Sequence, residues 1–436
     1  MTTASPGIPS GAISTRNRVA ASLRHRHRTE RIFRGFGLMA IILSLAALAT
    51  LITDVGSKGY TAFRQTHVTL QVFLDPDTID PDGRRDPAEL MRSDTQSPLR
   101  ASLRARFPDV TARADQRELY GLISPSAPYL LALRIAADPS LLGKSLSLSA
   151  LASDEVDTFI KGHVSRDVPE DQRRISDRQI AWIESLESTG AITMPFNVGF
   201  FTRGDSRDPE FAGILGALVG SVLTLTVALL LSFPLAVAAA VYLEEFAPDN
   251  RWTYLIEINI NNLAAVPSIV FGLLGLAVFL NFFGLPRSAP LVGGMVLALM
   301  TLPVIIIASR AAIAAVPPSI REAAMGIGAS PIQVVFHHVV PLAMPGILTG
   351  TIIGMARALG ETAPLLMIGM VAFIVDVPHG VTDPSSVLPV QIFLWADSSE
   401  RAFVERTAAA TLVLLAFLVL MNATAVYLRR RFEVRY

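Results

Sequence analysis

The chain has 436 residues, and only 17% of them are charged, against roughly 25% in a typical soluble domain. Lysine plus arginine and aspartate plus glutamate balance at 37 each, which argues against a nucleic-acid-binding protein because such proteins carry a basic excess. The sequence contains no cysteine, which excludes disulfides, iron–sulfur clusters and cysteine nucleophiles. A hydrophobic content of 51% favours a membrane protein.

Charged residues concentrate in one stretch of the chain. Residues 54–211 hold 43 of the 74 charged residues, and the other 278 positions share 31, which are separated by long apolar runs. About 20 helical residues cross the ~30 Å hydrocarbon core of a bilayer. The sequence therefore predicts an all-α polytopic membrane protein with one transmembrane helix at 36–53 and five more in a core at 212–428. The six apolar runs are Phe36–Leu51, Ala212–Tyr242, Tyr254–Phe283, Ala289–Ala315, Met344–Val375 and Ala408–Leu428.

The distribution of arginine predicts the orientation of these helices. Arginines are dense in the tails 1–35 and 429–436, whereas the loop Asp376–Arg406 carries five acids and two arginines. Because positively charged loops stay in the cytoplasm, both tails are predicted to be cytoplasmic and residues 54–211 to lie outside. The alternative is a cleaved signal peptide ending near Ala47-Leu48-Ala49, but its leading segment of ~35 residues would be unusually long.

The charged stretch 54–211 is predicted to be a small inserted α+β domain. Alternating apolar residues in His67–Leu74 predict a half-buried strand, and apolar residues at helical spacing in Ser176–Ser188 predict a helix. The Asp75–Asp86 segment is interpreted as a solvated turn, since it lacks the downstream glutamate of a calcium loop. We find no catalytic constellation and no metal site in this domain.

A short segment between the fourth and fifth apolar runs has the pattern of a docking element. Residues 317–341 begin with two prolines, continue as a helix of about two turns and meet glycines at 326 and 328. Proline is compatible with the first helical turn and glycine with the residue after the last turn. The sequence predicts a short, stiff helix that could dock into a groove on a soluble partner.

The same segment resembles the EAA loop of ABC importer permeases. Glu322-Ala323-Ala324 is followed by Gly328 six positions and Pro341 nineteen positions after the glutamate. In that family the loop is a coupling helix that rests in a cleft of the ATPase subunit. The resemblance implies ATPase coupling through Glu322, Ala323, Ala324, Gly326, Gly328 and Pro341, although His338 stands where the family usually has isoleucine.

Further stretches resemble the permease subunits of bacterial phosphate importers, over roughly residues 211–430. They are Val241–Pro248, Asn259–Gly275 and Ala356–Pro364. The resemblance implies a type I ABC importer permease fold in the inner membrane, with phosphate as substrate. It also implies three partners: a second permease subunit, a pair of ATPase subunits that bind ATP and magnesium, and a periplasmic phosphate-binding protein.

The chain itself is not predicted to be an ATPase or to bind a cofactor. It has no glycine-rich phosphate loop, and its three lysines, Lys58, Lys144 and Lys161, all lie in the insert. A permease for sulfate, molybdate or another oxyanion remains an alternative within the class. An alternative of a different class is a membrane-anchored sensor that reads the periplasm through residues 54–211.

A few polar residues inside the predicted membrane core are candidates for the substrate path. Arg357 and Glu361, four residues apart, are predicted to pair, either to bind an oxyanion or to fix helix packing, and the resemblance favours binding. Arg310 is predicted to be an interfacial anchor or a second anion contact. Asn259 and Asn262 are predicted to line the path or to bond between helices. The matched stretches add Ser268 and Thr362.

Small residues recur every four positions in the fifth run, at Gly346, Gly350, Gly354 and Ala358. Such a stripe predicts close helix–helix packing. Because Glu361 follows Gly354 by seven residues, we expect the ion pair to face the same neighbour as the stripe, either in this chain or in a partner subunit.

Overall fold

A computed structural model describes the backbone of residues 10–432 and the side chains of residues 23 and 26–431. Arginines of the predicted cytoplasmic tails at positions 16, 18, 24 and 435 therefore lie outside the described side chains. The chain divides into two compact units, residues 1–57 and 58–436. We describe each unit by itself.

The first unit is dominated by one long helix, α1 (Ser10–Gly59), which contains the predicted first transmembrane segment at 36–53. Hydroxyl groups within the apolar stretch bond back to the helix. Ser44 donates to the carbonyl of Ala40, Thr50 to Ala46 and Thr53 to Ala49, at 2.7–2.9 Å. Internal bonding of this kind removes unpaired polar groups from a segment that must sit in hydrocarbon.

The insert contains a three-stranded antiparallel sheet in the order β2-β1-β3. The strands are β1 (His67–Phe73), β2 (Ser145–Leu151) and β3 (Ile192–Thr193). Val68, Leu70 and Val72 of β1 are all buried, and Leu70 lies opposite Leu148 of β2. The strand predicted from alternation is therefore confirmed, and the apolar face that defines it is the face that packs into the core.

Helices cover that face of the sheet. In chain order they are α2 (Pro76–Ile79), α3 (Pro87–Leu90), α4 (Gln96–Arg106), α5 (Arg113–Tyr120), α6 (Ala127–Ala137), α7 (Asp154–Ile160) and α8 (Asp177–Ser188). A further short helix, α9 (Val198–Thr202), packs through Phe200 in a separate cluster with Ala62 and Ile214. The helix predicted near Ser176–Ser188 is confirmed: Ser176 and Gln179 form a capping box at its start, and Ile183 and Leu186 are buried. The insert is an α+β domain with one apolar core.

The rest of the second unit is helical. Its helices are α10 (Leu215–Val241), α11 (Arg251–Ala264), α12 (Ser268–Leu274), α13 (Pro290–Ala314), α14 (Pro318–Gly326), α15 (Pro331–Val334), α16 (Val340–Gly360), α17 (Ala363–Met367), α18 (Leu388–Ala396) and α19 (Ala402–Phe432). π-helical turns extend α10 to Phe246 and α12 to Phe282, and join α15 to α16. Five described helices of the whole chain are long and apolar enough to cross a membrane, or six segments if one bent pair is counted.

The bent pair corrects the third predicted span. The run Tyr254–Phe283 is not one helix: α11 ends at Ala264, α12 begins at Ser268, and their axes differ by 104°. Pro267 explains the break, because proline has no N–H to donate and its ring clashes with the carbonyl four residues earlier. The segment is therefore either a broken span or a re-entrant loop.

The fifth predicted span, Met344–Val375, also has the wrong bounds. The helical segment begins at Pro331 and ends at Gly360, with Glu361 extended. Pro364 accounts for this end, since its ring would meet the carbonyl of Gly360 if the helix continued. Pro341, predicted to close a loop, instead lies in the first turn of α16, where a proline needs no hydrogen-bond partner.

The glycine stripe of α16 packs on α13 of the same chain. A Cβ added at Gly346 would collide with the Cβ of Ala312, and one at Gly350 with the Cβ of Ala308. Gly354 faces Ile305, and Ala358 is buried. The two backbones approach closely at Gly346 and Gly350 because only alanine methyl groups face these glycines. The helix that packs on the stripe therefore belongs to the same chain, and no partner subunit is needed to explain the stripe.

The insert joins the permease helices through a buried charged cluster, which we call the joint: Asp157, Lys161, Glu405 and Arg406. Lys161 Nζ lies 2.7 Å from Asp157 Oδ2 and 2.8 Å from Glu405 Oε1, and these three side chains are only 3–7% exposed. Arg406 is 2% exposed and lies over the Phe200 ring. We call this side of the helices the insert end and the opposite side the α14 end.

Candidate functional site

The α14 end presents the short helix predicted from the sequence. Pro317 precedes α14 with extended backbone, Pro318 occupies its first turn, and the helix ends at Gly326. Gly328 has a φ of +91°, a conformation that residues with a Cβ rarely adopt, so glycine is required there. The prolines and glycines therefore fix the length and direction of a two-turn helix.

One face of α14 is exposed to solvent. Glu322 and Ala323 are exposed, whereas Ala324 is 4% exposed and packs in the cluster that includes Val316 and Val335. Large apolar side chains surround the exposed face: Met325, Ile327, Ile332 and Phe336 are 52–83% exposed. An acid within an exposed apolar surface is typical of a protein–protein contact.

Arg321 fixes α14 to the membrane helices. Its guanidinium lies 2.6 Å from Glu245 Oε1, at the π-helical end of α10. It also donates to the carbonyls of Val316 (2.7 Å) and Ile313 (3.1 Å), and so caps the end of α13. Arg321 therefore links α14, α10 and α13 at one point. The sequence reasoning did not single out Arg321 or Glu245.

Arg310, one turn before the end of α13, makes a second link at the same end. Its Nε lies 3.2 Å from Glu244 of the α10 extension, and its Nη2 lies 2.7 Å from Glu257 of α11. Two carboxylates thus already pair with the guanidinium of Arg310, which was predicted to be an interfacial anchor or an anion contact. An anion could contact Arg310 only by displacing one of them. We call Arg310, Arg321, Glu244, Glu245 and Glu257 the α14-end cluster.

A signal for this cluster was present in the sequence. The segment 212–428 has few charged residues, and two adjacent acids at the end of its first apolar run need partners at the same membrane boundary. Arginines 310 and 321 are the basic residues that border the next predicted loop on that side. Because so few charged residues are available at this end, matching the acids with the arginines could have identified the cluster. It could not have shown which acid pairs with which arginine.

The predicted pair of Arg357 and Glu361 is present in the structure. Arg357 Nε lies 3.3 Å from Glu361 Oε1, with the side chains 49% and 19% exposed. Arg357 lies in the last turn of α16, and Glu361 is the first residue beyond it, so the pair spans the break between α16 and α17. Negative partial charge at the helix end favours the guanidinium there. The pair does not share the buried face of the glycine stripe, contrary to expectation.

The pair lies about halfway along α13. Gly354 of α16 packs near Ile305 and Thr301, and α13 runs from Pro290 to Ala314. The other broken segment reaches the same region, since Gly272 of α12 packs on the backbone of Pro364 in α17. Interrupted helices that meet near the middle of a membrane are a common setting for substrate sites in transporters.

The remaining predicted path residues are more scattered. Asn259 and Asn262 are exposed on α11, and Asn259 donates to the carbonyl of Leu255 at 2.7 Å. Ser268 begins α12, and Thr362 precedes α17. Among the described residues no hydrogen bond or ion pair joins these four side chains to Arg357 or Glu361. The structure therefore brings together only the arginine and glutamate of the predicted path.

His337 and His338, two adjacent histidines, lie in the π-helical turn between α15 and α16. Within the part of the chain that the structure describes, no group of three or more histidine, aspartate or glutamate side chains is arranged to hold a metal ion.

Comparison with known proteins assigns the helical part of the chain. Residues 232–434 match the family described as the binding-protein-dependent transport system inner membrane component. The phosphate transport system permease protein PstA 1 of Mycobacterium tuberculosis (strain CDC 1551 / Oshkosh) is 34% identical over 255 residues, which cover 57% of this chain and 81% of that protein. The chain belongs to the PstA family of phosphate transport system permeases. It is thus a multi-pass membrane component of a transport system, as its apolar helices indicate.

Other relatives extend the similarity to a second type of permease. PstA of Haemophilus influenzae is 28% identical over 226 residues, covering 52% of this chain and 79% of that protein. PstC of the same organism is 30% identical over 247 residues, covering 51% and 77%. A chain from a solved structure of the inward-facing MetNI methionine ABC transporter matches 51% of this chain and 95% of its own length, at 15% identity and a TM-score of 0.39.

The N-terminal part has a separate match. Residues 20–170 match a domain of unknown function, DUF3333. This range covers most of α1 and much of the insert, and it ends before α8. The PstA-type permease core is therefore combined here with an N-terminal region that has its own family description.

Proposed function

We propose that this chain is a membrane-spanning subunit of an ATP-driven importer that carries phosphate across the bacterial inner membrane. It would pair with a second permease subunit to form the path. Two cytoplasmic ATPase subunits would bind ATP and magnesium, and a periplasmic protein would deliver phosphate. The observation that carries this proposal is the exposed helix α14 with Glu322, fixed by Arg321 to the ends of α10 and α13 in a PstA-family chain.

In this proposal α14 is the element that an ATPase moves. When the ATPase subunits close, they would displace α14, and the α14-end cluster would pass that displacement to α10, α11 and α13. The exposed apolar residues around Glu322 would provide contact area for the ATPase, and the charge of Glu322 would fix the orientation of that contact. Both predicted tails would lie on this side, and the insert would lie in the periplasm.

The Arg357–Glu361 pair would act on the substrate. Arg357 offers a permanently charged guanidinium whose N–H groups can donate to phosphate oxygens. Glu361 would hold the guanidinium between transport cycles, and its negative charge would keep the anion from binding too tightly to leave. Alternating access requires such a site to open first to one side and then to the other. Asn259, Asn262, Ser268 and Thr362 would border the route, and Arg310 would contact the anion only at the α14 end.

Uptake by the reconstituted complex tests the role of Arg357. We expect Arg357→Gln to lower phosphate uptake in proteoliposomes by at least about tenfold, since a charge-assisted hydrogen bond contributes about 1.5–3 kcal/mol. Arg287→Gln, at an exposed arginine in the loop before α13, is the matched control and should transport normally. Wild-type uptake by Arg357→Gln at normal expression would refute the proposed substrate role.

Association with the ATPase tests the role of α14. Glu322→Lys should abolish co-purification of the ATPase subunits and phosphate-dependent ATP hydrolysis. Asp249→Lys makes the same charge change at an exposed position of the same end and should leave both intact. Equal behaviour of the two variants would contradict docking through α14. If sulfate or molybdate, and not phosphate, stimulated ATP hydrolysis, the chain would still be an importer subunit, but its substrate would be that oxyanion.

A further inference from the structure

The base of the insert exposes a compact set of apolar side chains, which we call the footprint: Tyr60, Met194, Phe196 and Val198. They are 65%, 42%, 61% and 59% exposed. Tyr60 follows Lys58 closely in the chain, Met194 and Phe196 lie between β3 and α9, and Val198 begins α9. A soluble domain has no reason to expose such a group to water, so the footprint indicates a contact surface.

Aromatic contacts place the footprint at the level where the membrane helices begin. The Phe196 ring stacks on Phe201 at 5.9 Å between centroids, and Phe201 meets Phe200 edge-on at 5.1 Å. Phe200 is buried in one cluster with Ile214 before α10 and Ala409 near the start of α19. Ile214 immediately precedes one apolar span, and Ala409 lies within the first eight residues of another. The footprint therefore continues the surface of those spans.

The side chains of the footprint have the chemistry of a membrane–water boundary. Aromatic residues are enriched at that depth because their rings suit the layer between headgroups and hydrocarbon. Arg64 is exposed and forms a β-bridge with Phe196, so a cation lies beside the rings. A guanidinium at this position can donate to lipid phosphate groups while the rings enter the upper acyl region.

We propose that the footprint is inserted into the interfacial layer of the leaflet at the insert end, with phospholipid as its partner. Two attachments would then hold the insert: the joint on one side and lipid on the other. The continuity with α10 and α19 favours lipid over a soluble protein, since a protein at this depth would itself have to enter the membrane. This inference rests on the membrane-spanning role of α10 and α19, and not on phosphate as the substrate.

The absence of cysteine makes the test direct. Phe196→Cys in the full chain, labelled with bimane and placed in phosphatidylcholine nanodiscs, reports on one site only. The matched control is Phe73→Cys, at an exposed phenylalanine that ends β1 and lies about 20 Å from His67 at ~3.3 Å per strand residue. Val198→Cys provides a second reporter in case loss of the Phe196 ring disturbs folding.

We expect lipids with a nitroxide near the top of the acyl chain to quench bimane at Cys-labelled positions 196 and 198 at least threefold more than at position 73. Aqueous iodide should show the opposite order. Equal quenching at all three positions by either agent would overturn the proposal. Protection of positions 196 and 198 from both quenchers, appearing only when the other subunits are added, would assign the footprint to a protein partner and would equally refute the lipid contact. Neither of the two quenching measurements depends on phosphate uptake by the protein.

Discussion

The two ends of the permease helices are both held by ion pairs between basic side chains and carboxylates, but these side chains differ in their exposure to water. In the joint at the insert end, the side chains of Lys161, Asp157 and Glu405 are 3–7% exposed. In the α14-end cluster the paired side chains are 10–31% exposed. Similar ion pairs therefore sit in two different dielectric surroundings.

This difference sets how easily each cluster can rearrange. A buried charge that loses its partner keeps its full desolvation cost, so the joint behaves as a fixed connection. The partly exposed charges of the α14-end cluster can exchange a partner for water at a lower cost. The insert end is thus built as a rigid attachment, and the α14 end is suited to shift as α14 moves. The following predictions are ordered from the largest expected effect to the smallest.

Removing the lysine of the joint should have the largest effect. We expect Lys161→Met to destabilise the attachment of the insert by about 3–5 kcal/mol, because Asp157 and Glu405 would be left buried and unpaired by lysine. Urea unfolding followed by the fluorescence of Trp182, with Trp252 and Trp395 replaced by phenylalanine in both proteins, measures the change. Lys144→Met, at an exposed lysine of the same insert, should change stability by less than about 0.5 kcal/mol. Equal effects of the two substitutions would show that the joint is not a rigid connection.

Glu210, next to the joint, should make the stability of the insert depend on pH. It is 4% exposed, and burial raises its pKa from the ordinary value of 4.5 to about 7, with Asp154 and Asp208 adding to the rise and Ser124 opposing it. The folded state therefore holds a proton that the unfolded chain releases between these pH values. Stability is fully present below pH ~4.5 and falls as the pH rises toward ~7, by up to about 3 kcal/mol.

Glu210→Gln should remove this contribution to the pH dependence. Relative to the wild type, the variant should be similar in stability at pH 5 and more stable at pH 8. Thermal unfolding midpoints at pH 5, 6, 7 and 8 measure the difference between the two curves. Parallel curves over this range would show that Glu210 titrates at its ordinary pKa, with the joint unaffected by its charge.

At the α14 end we expect a smaller loss of stability and a larger loss of coupling. Arg321→Gln removes the contact with Glu245 and the cap on α13, and it should cost about 1–2 kcal/mol. Phosphate moved per ATP hydrolysed should fall several-fold, since α14 would move without α10 and α13. Arg321→Lys keeps the charge but cannot reach all three partners. Its stability and its ratio of phosphate moved to ATP hydrolysed should lie between those of the wild type and of Arg321→Gln. A loss of stability as large as that of Lys161→Met would remove the distinction between the ends.

The smallest effect is expected for Glu257→Gln. Arg310 keeps Glu244 at 3.2 Å, and the neutral glutamine amide can still accept from the guanidinium, so the change in stability should be below about 1 kcal/mol. Thermal unfolding of the full complex would measure it. A larger loss would mean that α11 is held to α13 mainly through this contact.

Local patterns allowed part of this structure to be predicted. Strand β1 and helix α8 follow from periodic burial over fewer than fifteen residues, and Arg357 and Glu361 pair because four residues make one helical turn. These features depend on neighbours in the sequence, which a single sequence shows directly.

Other features depend on contacts that no local pattern contains. Lys161 meets Glu405 across 244 positions, and Arg321 meets Glu245 across 76. The bounds of α16 were wrong for a different reason. Pro341 was predicted to close a loop, but it lies in the first turn of α16, and a π-helical turn joins α16 to α15. Exposure of the joint and of the α14-end cluster could be learned only from the fold.

The seam between α13 and α16 has a further consequence, for leakage. Where Gly346 and Gly350 face Ala312 and Ala308, backbone and methyl groups touch directly and leave no gap wide enough for a water molecule. A file of water along that line would conduct protons or sodium ions and dissipate the gradients that a living membrane maintains. Because Gly346 and Gly350 have no side chains, the contact between α13 and α16 is tight enough to exclude water. A solute therefore crosses only where the protein provides a site for it.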